Sequence, residues 1–159
     1  MVWDKGGTTT LTSGGDSISV ATLPNTKFIT YMAHGLATGG SIELRPRFNS
    51  DSGTNYARRL RADGGTEYAT GSIDTADFVP EGVYDSFIVI YVINISSEEK
   101  LLTGFGVGYT TLGAGTAPTR TEGGGKWSNT SDPIDEIQAE NNGTGNYDTD
   151  SNLSVLGTN

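Results

Sequence analysis

Apolar and polar residues alternate with a period of two along most of the chain, the spacing of strands that bury one face. The clearest case begins at Ser41. Ile42, Leu44 and Phe48 share one face, while Glu43, Arg45 and Arg47 share the other. A turn of Asn, Ser, Asp and Gly follows over residues 49–53, and a second arginine-rich strand carries Arg58, Arg59 and Arg61. The pattern predicts an antiparallel hairpin. Pro46 removes one ladder donor from its first arm, which points to an edge or bulged position.

The same spacing predicts strands over residues 16–21, 27–34, 67–73, 133–139 and 151–156, with a turn at Asp63-Gly64-Gly65. Residues 1–15 read as an extended N-terminal arm. The segment 85–95 departs from simple alternation, because Phe87, Val89, Tyr91 and Ile93 are as apolar as the residues between them. Such a strand is either covered on both faces or presents one apolar face to a partner. Residues 102–109 alternate large side chains with Gly104, Gly106 and Gly108, leaving a face open to close approach by another backbone or ring. Residues 112–125, rich in Gly, Ala, Thr and Pro, read as a long loop. No stretch has capped helical periodicity. Short strands separated by turn signals predict one all-β domain over residues 1–159, an antiparallel β-sandwich of jelly-roll-like kind.

Composition agrees with that picture. The 23 glycines suit tight turns, and the recurrent apolar runs argue against disorder despite a hydrophobic content of 34%. A net charge of −9, from 19 acidic and 10 basic residues, disfavours binding to nucleic acid or to anionic lipid. The opening residues lack the basic and apolar regions of a secretory leader, and the run from Phe87 to Ile93 is too short to span a bilayer.

Catalytic chemistry has little to work with. There is no cysteine and a single histidine, His34, so neither a thiolate zinc site nor an imidazole dyad is expected. Asn49, Asp51, Gly53 and Asn55, and again Asp148, Asp150 and Asn152, have the two-residue spacing of oxygen ligands for calcium. Both lack the distal glutamate of a complete loop, and Asx residues in turns bond their own backbone. The carboxylates show no distinctive pairing, and no nucleophile motif occurs. The expectation is a protein without enzymatic activity or cofactor. Five of the six arginines, Arg45, Arg47, Arg58, Arg59 and Arg61, lie on the two arms around the 49–53 turn. They read first as partners for carboxylates across strands or subunits, and secondly as a basic patch for an acidic glycan.

The run from Arg47 through Tyr56 to Arg58 resembles a motif of β-sandwich structural proteins from tailed bacterial and archaeal viruses. Asn94-Ile95-Ser96 with Glu99-Lys100-Leu101, the stretch Gly125-Lys126-Trp127-Ser128-Asn129-Thr130-Ser131, and the ending around Gly143-Thr144-Gly145-Asn146-Tyr147 are similar as well, in the same order. The resemblance implies a β-sandwich on a virion surface, assembled in a host cytoplasm, and carries no catalytic residues. The function expected on that basis is capsid decoration or a head fibre. Its partners would be the major capsid protein or other virion proteins, and further copies of itself, with a trimer favoured. The alternative is a tail or fibre module that recognises a host surface glycan, with Trp127, Tyr147 and the arginines as its platform. Candidate interface residues are Phe87, Val89, Tyr91, Ile93, Trp127, Arg45, Arg47, Arg58, Arg59 and Arg61.

Overall fold

The computed structural model describes residues 2–78 and 83–159. Among them are thirteen strands and no helix. In chain order these are β1 (Asp4–Thr10), β2 (Ser17–Ala21), β3 (Phe28–Gly35), β4 (Ala37–Thr38) and β5 (Arg45–Phe48). There follow β6 (Tyr56–Ala62), β7 (Glu67–Ile73), β8 (Ser86–Ile93) and β9 (Lys100–Gly108). The last are β10 (Thr119–Trp127), β11 (Glu136–Glu140), β12 (Asn146–Tyr147) and β13 (Asn152–Thr158). All pairings are antiparallel. Eight strands form one sheet in the order β1-β13-β3-β8-β9-β10-β6-β7, three form a second in the order β2-β11-β5, and β12 pairs with β4.

The all-β sandwich expected from the alternation is the fold found. Ile29, Tyr31, Ile88, Ile90, Val92, Leu102, Leu153 and Val155 point from the large sheet into the same buried cluster as Ile18, Val20, Phe48, Ile137 and Ala139 of the small one. Neighbouring strands distant in sequence, such as β13 beside β3 and β11 between β2 and β5, give the jelly-roll-like crossing.

Three local expectations are corrected. First, the two arginine-rich arms are not a hairpin. β5 pairs with β11 in the small sheet, whereas β6 pairs with β10 and β7 in the large one. The chain between them is an arch that crosses from one layer to the other. Its cause lies in two residues with left-handed backbone, Asn49 (φ 50°) and Ser50 (φ 54°). The Asn49 side chain is committed to a distant segment, donating to the Pro133 carbonyl at 2.8 Å and accepting from the amides of Asp135 and Glu136 at 3.0 and 3.2 Å. Phe48 and Tyr56, the residues flanking the arch, therefore face each other through the core. The Phe48 amide donates to the Tyr56 hydroxyl at 3.0 Å, and the rings lie 6.1 Å apart. Pro46 sits in an edge strand, as the missing donor required.

Secondly, the glycine-rich stretch before Trp127 is not loop. Gly123, Gly124 and Gly125 are the middle of β10, paired on both sides with β9 and β6. Gly123 is small because the Arg59 carbonyl and the Leu60 side chain occupy the space of a Cβ. Only residues 109–118 connect β9 to β10. Thirdly, the N-terminal arm is extended but docked, since β1 pairs along β13 and forms one edge of the large sheet.

The alternating glycines of β9 face inward. A Cβ on Gly106 would lie 2.8 Å from the Phe78 carbonyl oxygen, and the Thr121 hydroxyl donates to that same oxygen. The glycine face thus lets Phe78 and Val83 lie against the sheet backbone, the close approach anticipated for it.

Candidate interaction surface

The two outer faces of the sandwich differ in kind. On the small sheet, β5 and β11 place Arg45 opposite Glu140 and Arg47 opposite Gln138. Arg45 bonds Asp74 at 2.8 Å and lies 3.8 Å from Glu43, while Arg47 lies 3.4 Å from Glu140 and 3.6 Å from Asp74. The Ser17 hydroxyl donates to Glu140 at 2.6 Å and the Ser19 hydroxyl to Glu136 at 2.8 Å. This face is a hydrogen-bonded polar lattice.

The large sheet presents the opposite. Because strand side chains alternate, the outward positions of β8 are Phe87, Val89, Tyr91 and Ile93, and those of β9 are Leu101, Thr103, Phe105 and Val107. The register sets Phe87 against Val107, Val89 against Phe105 and Tyr91 against Thr103, with Phe28 and Met32 of β3 continuing the row against Ile93 and Val89. Leu101 is 55% exposed, Phe105 and Tyr91 each 47%. Val89 is covered by its larger neighbours. Trp3 overhangs one end, where Phe28, Tyr91, Ile93, Leu101 and Thr103 line an open groove of about 390 Å³. With aromatic side chains carrying roughly 150–250 Å² apiece, the exposed fractions sum to on the order of 600 Å². That is the upper end of the roughly 300–600 Å² of the largest apolar patch on an ordinary monomer.

Of the candidate interface residues, Phe87, Val89, Tyr91 and Ile93 come together on this face. Trp127 does not. Its indole is fully buried, 5.7 Å from the Phe48 ring and 6.2 Å from that of Tyr56, and donates to Asp51 at 2.7 Å. Tyr147 is buried too, its hydroxyl donating to the Glu43 carbonyl at 2.5 Å. Neither offers a ring for a sugar to stack on. The arginines are engaged within the chain. Arg58 pairs with Asp77 and lies 5.8 Å from the Tyr68 ring; Arg59 pairs with Glu67 at 2.5 Å; Arg61 donates to the carbonyls of Gly64 and Gly65 at 2.9 and 2.8 Å. Leu101, Phe105 and Val107 escaped the sequence reading. Their signal was the large half of the β9 alternation, which drew attention only for its glycines.

The Asx turns act as structural braces. Asp51 accepts from the Trp127 indole, from the Gly53 amide at 2.9 Å and from the Asn55 amide at 2.9 Å. Burial works to raise its pKa, but these donors outweigh it and hold the carboxyl below its ordinary value. A carboxyl with a depressed folded-state pKa contributes stability above its unfolded value, near 3.9, that is lost as pH falls through the folded value. Asp51→Asn is therefore expected to be less stable than the wild-type chain at pH 7, with the difference shrinking below about pH 4. Urea midpoints taken across that range test this; a gap independent of pH would refute it. Among the described residues no group of three or more His, Asp or Glu side chains is arranged to hold a metal ion.

Comparison with known proteins finds no family model that matches the chain and no curated protein that matches it.

Proposed function

We propose that this chain is a structural protein of a virion exterior, a capsid decoration or head-fibre component that works by adhesion rather than by catalysis. The observation that carries the reading is the outer face of the eight-stranded sheet, where Phe87, Tyr91, Ile93, Leu101, Phe105 and Val107 stand exposed together on a chain of net charge −9. An acidic surface keeps such a protein soluble, and a contiguous apolar patch at the top of the range found on monomers is often a contact site. The virion setting rests on the order of the sequence stretches from Arg47 to Tyr147 that resemble tailed-virus structural proteins. In that setting the mechanism is mechanical: apolar area buried between neighbours on the shell resists outward pressure on it. The burial of Trp127 and Tyr147 weighs against the glycan-binding alternative.

The test is to add the purified chain to empty shells of the virus that encodes it. Many copies per shell, and a higher temperature of shell rupture, are expected. Adhesion to host cells without shell binding would instead favour a receptor-binding module, and binding to neither would overturn the proposal.

A further inference from the structure

The apolar face has a chemistry that selects its occupant. The outward residues of β3, β8 and β9 include no acidic side chain and, His34 apart, no ionisable cation, although the chain carries 19 carboxylates. A cationic partner would find nothing there to pair with. For two copies that repel each other at −9 apiece, an uncharged face is the surface on which close approach costs least.

The face is also uneven in a complementary way. Tyr91, Ile93, Leu101 and Phe105 form a ridge over β8 and β9. Beside it, the small residues Ala57, Ala69, Gly71 and Gly124 leave a shallow hollow, wide open to solvent and edged by Arg59 and Lys126, whose charges are met by Glu67 and Glu99. Ridge and hollow lie side by side on one surface. A two-fold axis through that surface, near β9 and β10, would bring the ridge of each copy over the hollow of the other, the self-complementary contact of an isologous dimer. The outer face as a whole supplies on the order of 600 Å² of apolar area, most of the roughly 800 Å² per partner of a standard stable interface.

From the face and its neighbouring hollow we infer that the occupant is a second copy of this chain, joined sheet to sheet about a two-fold axis. The inference rests on the adhesive reading proposed above and names the partner at its contact surface. It differs from the expected trimer, since burying one sheet face against its own copy seats only two chains. On a shell, such pairing would clasp copies seated at adjacent positions, so that neither detaches alone.

Sedimentation equilibrium of the purified full chain tests this directly, alongside Phe105→Asp and Tyr91→Lys. Both substitutions lie on the outer face, and a cooperative urea transition with an unchanged m-value shows that the variants fold, whatever midpoint the loss of pairing leaves them. Expected is a wild-type dimer, with self-association weakened by on the order of 100-fold in each variant. A wild-type chain that stays monomeric at tens of micromolar overturns the inference, as does a trimer, or a dimer that both variants leave intact. Shell binding by a monomeric wild type would overturn only the pairing and leave the virion reading standing. Failure to bind shells by a dimer sensitive to both substitutions would do the reverse.

Discussion

Trp127→Ala is expected to lower the stability of the chain by about 3–5 kcal/mol, the usual range for deleting a large buried aromatic. Against a total of roughly 5–15 kcal/mol for a domain, that leaves a substantial unfolded fraction. The size of the effect follows from position. Trp127 ends β10 at the point where the arch returns the chain to the large sheet, and its ring fills the space between Phe48 and Tyr56. Its indole N–H also holds Asp51, which in turn holds Gly53 and Asn55. Removing the ring opens a cavity and releases the arch at once. Trp127→Phe separates the two contributions, since it keeps most of the apolar volume and loses the donor. It should cost about 1.5–3 kcal/mol, the range for a hydrogen bond to a charged group. In a double variant with Asp51→Asn the losses should fall short of additive, because both substitutions act on the same bond, one removing its donor and the other the charge of its acceptor. Urea midpoints at constant m-value are the measurement, and full additivity would show that the arch is held by something else.

How far the fold could be read in advance depended on whether a residue's role was local. β8 announced itself, because an eight-residue strand apolar on both sides has few settings, and one of them, an exposed apolar face, is the one found. The edge position of Pro46 was readable for the same reason, since a residue without an amide proton is excluded from a central strand. The arch was not. Phe48 and Tyr56 obey the same alternation whether their strands pair within one sheet or face each other across two. What decides is the commitment of Asn49 to Pro133, Asp135 and Glu136, more than 80 residues away. The glycines of β10 misled in the opposite sense. A run of three reads as a chain breaker, yet Gly123 is required where the Arg59 carbonyl and Leu60 press against the strand. Trp127 looked like an exposed ring because it follows that run. The contact face was half visible: Phe87, Tyr91 and Ile93 could be read from one strand, but their joining with Leu101, Phe105 and Val107 needed the β8–β9 register.

Lys100→Met is expected to cost about 1–2 kcal/mol, although methionine nearly matches the volume of this fully buried lysine. A buried lysine in an apolar setting should be replaceable by such a residue at a gain, because the cost of burying an ammonium is large. Here the ammonium is bound. It donates to the carbonyls of Glu98 at 2.8 Å and Asn129 at 2.7 Å, reaches that of Ser96 at 3.5 Å, and lies 5.7 Å from the Trp127 ring. Burial pulls its pKa below the ordinary lysine value, while Asp132 and Glu98 draw it back up. The side chain therefore ties the turn between β8 and β9 to the segment after β10, and methionine would leave those carbonyls without a donor. Glu98 is exposed and Asn129 half-buried, so water reaches their carbonyls in part, and the loss sits in the lower part of the roughly 1–3 kcal/mol of an unsatisfied group. Lys126 supplies the comparison. Its ammonium meets Glu99 at 2.7 Å, but both side chains are more than 40% exposed, so water screens the pair. Lys126→Met should change stability by less than about 1 kcal/mol. Faster amide exchange at residues 95–99 in the Lys100 variant alone would locate the damage. Equal urea midpoints for the two variants would mean that the ammonium clamp does not hold that end of the sandwich.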